Sequence, residues 1–282
     1  MTAESGCVHF DAAPDRRWTI PVAEIGGLPI AAIDCAKSAQ LMIDVALNRR
    51  NAALPPLVST SANGQVLSLC ARQSHIRDLF LNADLIHADR MPLVFVSRLL
   101  QQTPLPERVC TTDLFHYVAA VAQQRGSRMF FLGVADSIVS QAARRAQSLY
   151  PDLDIVGYRG GYLRREADEE RVIDVINTAQ PDILWLGLGV PREQLFAMRY
   201  RDRLRGVGLI KTVGDLFDFL SGKNARAPSW MQSAGLEWAY RMYLEPRRLA
   251  GRYLVTNPHA LFLLLTRTGQ TARPVWDQTG GE

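Results

Sequence analysis

Asp89 closes the apolar run ADLIHAD (83–89), two residues after His87. A carboxylate at the mouth of a strand, partly desolvated by its neighbours, can have its pKa raised enough to act as a general base. The same residue type is equally suited to cap a helix or a turn. His87 alternates onto the buried face of that run and reads as a packed histidine. Ser61, Asn63 and Gln65 in STSANGQ (59–65) fall at a strand-to-helix turn, where hydroxyl and amide groups either cap the helix or hold a ligand. Thr111, Thr112 and Asp113 lead into a helix and could cap it or receive phosphate oxygens at its positive end.

Glycine-rich ends follow other runs. Gly133 lies in RMFFLGV (128–134), and GLGVPREQ (187–194) follows the strongest apolar run, with Gly187 and Gly189 allowing close backbone approach ahead of Pro191, Arg192, Glu193 and Gln194. The string is GxGxP rather than GxGxxG, so the dinucleotide fingerprint is absent, which argues against a nicotinamide enzyme. TVGDLFDFLSGKNARAP (212–228) offers Asp215, Asp218, Lys223 and Arg226 after the last run. Asp152 and Asp154 form a DxD string of the kind used by metal-dependent sugar transferases, but they precede a strand and so belong to the wrong edge of a sheet. No His, Asp or Glu cluster has metal-ligand spacing, so no metal and no cofactor are expected.

A different chemistry crowds RAPSWMQSAGLEWAYRMYLEPRRLAGRY (226–253). Helical spacing puts Trp238, Arg241, Met242 and Glu245 on adjoining turns, Pro246 breaks or restarts the helix, and Arg247, Arg248 and Arg252 follow. Guanidinium groups grip phosphate oxygens bidentately, and aromatic and leucine side chains beside them suit a lipid headgroup boundary. The same pattern also fits a surface helix with solvated arginines.

The elements that must position these groups alternate. Apolar runs at 28–34, 54–60, 83–89, 128–134, 153–158, 182–189 and 207–214 are separated by amphipathic stretches such as 36–50, 136–150 and 168–180. That alternation predicts an α/β fold, Rossmann-like, with a mainly parallel sheet flanked by helices and ligands at the carboxyl ends of the strands. With 282 residues, 48% hydrophobic and 21% charged, the chain can bury a large core. Its net charge of +4 points toward phosphates, nucleotides or a lipid surface and is too small to argue for nucleic acid. Four scattered cysteines without a CxxC pair fit a reducing, cytoplasmic compartment. Asp11, Asp15, Arg16 and Arg17 interrupt any signal-peptide core, and no apolar run reaches the ~20 residues that span a bilayer, so membrane contact is expected to be peripheral.

Taken in order, TSANGQ, ADLIHAD, ERVCTTDLF, MFFLGVADS, YPDLDIVGYRGGY, PDILWLGLGVPREQ, VGDLFDFLSGKNARAPSW and GLEWAYRMYLEPRRLAGRY resemble the landmarks of the WecG/TagA/CpsF glycosyltransferase family over about residues 28–255. The resemblance implies an inverting, metal-independent enzyme that moves a sugar from a UDP-sugar onto a polyprenyl-diphosphate-linked sugar at the cytoplasmic membrane face, for exopolysaccharide or other cell-surface polysaccharide. It places the family's catalytic aspartate on Asp89 and its nearby threonine and asparagine on Ser61 and Asn63. Substrate contacts are implied for Thr111, Asp113, Gly133, Gly187, Gly189, Pro191, Arg192, Glu193, Gln194 and Asp218. Diphosphate or lipid contacts are implied for Arg226, Arg241, Arg247, Arg248 and Arg252. The resemblance also divides the chain into an N-terminal extension (1–25), a core (26–222), a helical membrane-docking appendage (223–268) and a frayed tail (269–282), with homo-oligomers possible through the apolar tail. Three positions depart from the family pattern: Arg90 replaces the glycine after the catalytic aspartate, Glu193-Gln194 reverses a Gln-Glu pair, and Asp215 replaces a glycine. A non-catalytic scaffold of a polysaccharide assembly complex and a nucleotide-sugar-modifying enzyme are the alternatives from other classes.

Overall fold

The computed structural model of the chain describes residues 7–13, 16–163, 165–244 and 246–269. Six parallel strands form the central sheet: β4 (Leu57–Ala62), β5 (Leu85–Ala88), β6 (Arg128–Gly133), β7 (Asp154–Arg159), β8 (Ile183–Gly187) and β9 (Leu209–Thr212). Their spatial order is β5-β4-β9-β8-β6-β7. Except at edge strand β7 and the first residue of β6, nearly every residue in them is buried, as expected when helices cover both faces.

The pleat divides each strand between two cores. Leu57, Met129, Phe131, Ile183, Trp185 and Leu209 face one side, where they meet α1 (Cys35–Asn51), α5 (Thr111–Arg125) and α6 (Asp136–Leu149). Val58, Ile86, Phe130, Leu132, Leu184 and Ile210 face the other, against α2 (Gly64–Arg72), α3 (Ser74–Leu81), α4 (Met91–Leu100), α7 (Glu166–Ala179) and α8 (Arg192–Tyr200).

One predicted strand belongs elsewhere. The run at 28–34 supplies β3 (Leu28–Ala31), which joins a separate antiparallel sheet of order β1-β2-β3 with β1 (Cys7–Ala13) and β2 (Arg16–Ile25). Ile25 pairs with Leu28 across Gly26 and Gly27, whose φ values of 61° and 85° are those of a two-residue hairpin turn. A partner two residues away costs little loop entropy, so β3 pairs locally rather than with the distant parallel strands. The expected boundary at residue 25 falls in this turn.

After β9 come α9 (Leu216–Leu220), α10 (Ser229–Ser233), α11 (Glu237–Leu244) and α12 (Pro246–Thr266). Pro246 opens α12, where a missing N–H costs nothing. Helix α12 lies on α2 and buries Ala260, Leu263 and Leu264. The approach is close at Gly64, where a Cβ would stand 3.0 Å from that of Ala260. The far end of α12 is tied to the hairpin turn, because Gly27 N donates to Arg267 O (3.0 Å) and Gly26 N to Thr268 Oγ1 (3.1 Å). Among the described residues no helix is long and apolar enough to cross a membrane.

Candidate active site

The carboxyl ends of β4, β5, β8 and β9 open into a cavity of about 510 Å3. It lies where the strand order reverses, with β4 leading outward to β5 and β9 arriving from the opposite side. Parallel register sets the floor: Ser61 pairs with His87 and Ala62 with Ala88, so the residues that follow, Asn63 and Asp89, emerge side by side. Asp152 and Asp154 sit at the start of β7, at the opposite end of the sheet, where Asp154 pairs with Arg128 at 3.7 Å.

Asp89 is 9% exposed and lines the cavity. Its backbone N–H donates to Ala62 O at 2.9 Å, fixing the turn. Oδ1 accepts from Thr111 N at 3.3 Å, and Oδ2 pairs with Arg90 Nε at 3.0 Å. Asp89 does not cap the helix that follows it, whose N-cap is Arg90, but its carboxylate sits against the first N–H of α5. The sequence-based expectation of a raised pKa is corrected here. Burial does push the carboxyl up, but the Arg90 cation, the Thr111 N–H, and hydrogen bonds from Cys110 and Asn63 outweigh it and hold Asp89 below the usual carboxylate value. The group is an ionised acceptor at neutral pH, and a weaker base than desolvation alone would make it.

Ser61 Oγ shares a hydrogen with Thr111 Oγ1 (3.1 Å) and accepts from Lys211 Nζ (2.9 Å). Lys211 is fully buried, and burial pushes its pKa down to about 7. Asn63 caps α2, its Oδ1 accepting from Val66 N at 3.1 Å, while still lining the cavity. Capping and site membership thus coexist at this residue. His87 is packed as expected: it is buried against Ser59 Oγ (3.3 Å), and desolvation holds its pKa well below the usual value.

Glu193 bridges two strand-end loops. Its Oε2 accepts from Gly189 N and Gly214 N, each at 3.2 Å, and burial pushes its pKa up to about 7. Gly189, at φ 79° with open space where a side chain would stand, lines the cavity. Gln194 lies deeper and donates to Thr60 Oγ1 at 3.0 Å.

Among the residues singled out in the sequence, Ser61, Asn63, Gln65, Asp89, Arg90, Thr111, Thr112, Gly189, Glu193, Asp215, Trp238 and Arg241 line the cavity. The others surround it or lie apart. Gly133 and Gly187 are packing positions, because a Cβ on Gly133 would stand 2.3 Å from Gly187 O and one on Gly187 would meet Phe217 at 2.9 Å. Pro191 is the residue before α8, Arg192 reaches Leu163 O at 3.3 Å, and Asp218 pairs with Lys223 at 2.9 Å. Asp113 pairs with both Arg108 (3.0 Å) and Arg226 behind the cavity wall. Arg247 is exposed at the start of α12, while Glu245 and the side chains of Arg248 and Arg252 lie outside the described residues.

The C-terminal helices build one wall of the cavity, contributing Glu237, Trp238 and Arg241 from α11 and Thr256, Asn257, Ala260 and Leu261 from α12. Arg241 pairs with Asp215 at 2.6 Å and stacks over Phe219 at 5.7 Å. Sequence reasoning missed three charged members of the site, Lys211, Arg108 and Glu237. Lys211 was legible only as a charge inside an otherwise apolar run, and Glu237 as an acid among aromatics.

The family model described as "Glycosyl transferase WecG/TagA/CpsF family" matches residues 23–273. Curated relatives carry one name, N-acetylglucosaminyldiphosphoundecaprenol N-acetyl-beta-D-mannosaminyltransferase. The protein from Bacillus spizizenii is 32% identical over 68% of this chain and 72% of its own. That from Bacillus subtilis is 30% identical over 73% and 78%, and that from Staphylococcus aureus 24% identical over 68% and 74%.

Proposed function

The chain belongs to the WecG/TagA/CpsF family of glycosyl transferases, and from that premise we propose that it transfers a hexosyl residue from a UDP-sugar to a sugar carried on a polyprenyl diphosphate, inverting the anomeric centre. Lipid-linked N-acetylglucosamine is the acceptor, and N-acetylmannosamine the first donor to test, on the strength of the relatives' names. The product would serve exopolysaccharide or another cell-surface polysaccharide.

The observation that carries this reading is a buried, ionised carboxylate on the floor of a cavity ringed by arginines. In the reaction a new bond forms between the acceptor hydroxyl oxygen and the donor's anomeric carbon while the bond from that carbon to the diphosphate oxygen breaks. UDP leaves with the electron pair, and Asp89 Oδ takes the hydroxyl proton. Ser61, whose hydroxyl accepts from Lys211, and Thr111, hydrogen-bonded to Ser61, would position the donor sugar beside the base. One positioned base supplies roughly 10²- to 10⁴-fold of rate. Stabilising the departing diphosphate falls to guanidinium groups and helix N-termini. Arg241, already in the wall, is the best placed, with Arg226 behind it and Arg248 on the following helix. Among the described residues no three His, Cys, Asp or Glu side chains are grouped to hold a metal.

The tail would bring the site to its lipid-linked acceptor at the inner face of the cell membrane. Leu254, Val255, Leu261, Phe262 and Leu265 of α12 are all more than half exposed, and Tyr243 of α11 is 83% exposed. Those side chains, with Arg247 beside them, are suited to a headgroup boundary.

The test is UDP release from a panel of UDP-sugars in the presence of a polyprenyl-diphosphate-linked N-acetylglucosamine, with and without EDTA. Acceptor-dependent release unaffected by the chelator is expected. No release from any donor would overturn the assignment, and inhibition reversed by manganese would overturn its metal independence.

A further inference from the structure

Arg90 directly follows Asp89, and its guanidinium is not free. Nε faces Asp89 Oδ2 at 3.0 Å while Nη1 bonds Glu237 Oε2 on α11. Glu237 is 4% exposed and carries a second guanidinium, Arg108 Nη1 at 3.3 Å, which itself reaches Gln232 Oε1 at 2.7 Å. All four charged residues line the cavity. A single cation thus bridges the carboxylate at the end of β5 and a carboxylate that only the tail supplies.

The other groups facing Asp89 come from four further elements. They are Thr111 N–H at the start of α5, the Cys110 thiol before it, the Asn63 amide at the start of α2, and the Lys211 ammonium of β9. None of these is contributed by residues 223–269. Of the cations and donors around the aspartate, Arg90 is the one whose charge is shared with the tail.

We propose that Arg90 is a positioning residue that makes the proton affinity of Asp89 depend on whether α11 is docked. With Glu237 in place, its negative charge offsets part of the field that the Arg90 cation exerts at Asp89. When α11 lifts away that offset is lost, the cation acts on Asp89 unopposed, and the carboxylate becomes a poorer base, because a nearby opposite charge favours the ionised form and a like charge disfavours it. Docking of the tail, in this arrangement, raises the basicity of the floor it covers. The inference rests on the reading of Asp89 as the base, deepening it with a regulatory contact.

Two variants must move Asp89 in opposite directions. Removing Arg90 takes away the attraction, and removing the Glu237 charge leaves it unopposed. The measurement is the pH titration of the Asp89 carboxyl in the full-length protein labelled with 13C at aspartate side chains, assigned by loss of its signal in Asp89→Asn. Arg90→Gly should raise the midpoint by about one to three pH units, with Arg90→Gln as the bulkier substitute should the glycine variant fail to fold. Glu237→Gln should lower it. The acid limb of kcat/KM should follow the same signs, since a base with a higher pKa needs a higher pH to be deprotonated. The proposal is overturned if Arg90→Gly and Arg90→Gln leave the midpoint unmoved, or if Glu237→Gln raises it or leaves it in place. Opposed midpoints in a protein that releases no UDP from any donor would uphold the coupling and sink the transferase assignment instead.

Discussion

The floor and the wall of the cavity are built on different principles. Floor residues are strand-end residues whose positions follow from parallel pairing: Ser59 faces Lys211 and Ser61 faces His87 in register. Moving any of them means unpairing the sheet. Part of the wall is α12, packed on α2, but the rest stands on α10 and α11, only 5 and 8 residues long, and α11 buries a single residue, Glu237. Trp230 is 64% exposed, and the principal ties from α11 to the core are ion pairs from Glu237 and Arg241. A short helix held mainly by a few ion pairs has less buried apolar contact to lose on opening than a sheet covered on both faces. On the proposed function, the chemistry that must be preorganised sits on the rigid part, and a lipid-linked substrate would enter past the short helices.

Asp89→Asn breaks the comparison most sharply. It should leave the fold and donor binding in place while UDP release falls by at least about a hundredfold; near-normal turnover would remove the floor from the chemistry. On the wall side, Leu264→Asp places a charge at a position 3% exposed. Loss of the leucine contacts alone is worth about 2 to 5 kcal/mol. Proteolysis and amide exchange should rise across α12 well before the central strands are affected, and simultaneous loss of protection in both would mean that the wall is not separable.

A subtler contrast concerns pH. Glu193 is raised by burial from 4.5 to about 7, so the folded state holds an extra proton between those values. Its contribution to stability is present in full below about 4.5 and lost as pH rises through about 7. Thermal melts of the wild type relative to Glu193→Gln should show that slope; a flat difference across the window would mean that the carboxyl titrates normally. The smallest stability effect is expected at Arg241→Gln, whose partner Asp215 is half exposed, with about 1 kcal/mol or less at stake. Transfer should fall more than stability does, and a loss confined to the melting temperature would take Arg241 out of diphosphate binding.

Much of the floor was legible in the sequence, because a short continuous apolar run, alternating with helical stretches and followed by polar residues, announces a buried parallel strand and its carboxyl end. Asp89, Ser61 and Asn63 were found that way. The hairpin was missed although Gly26-Gly27 marks it, since a short run such as LPIA fits a parallel or an antiparallel strand equally well. The sign of the Asp89 shift was also missed. Burial was foreseeable from the run, but the balance against it comes from Arg90, Thr111, Cys110 and Asn63, and their distances are not written in spacing.

Local sequence, then, determined the alternation of strand and helix, the carboxylate at a strand end, and the helix restart at Pro246, because each depends on periodicity or on one residue's backbone chemistry. Tertiary structure alone decided that Lys211 reaches Ser61, that Glu193 ties two loops, and that Glu237 of the tail shares a cation with Asp89. Those contacts join residues 21 to 150 positions apart, and the electrostatics of a buried group depend on which of them close.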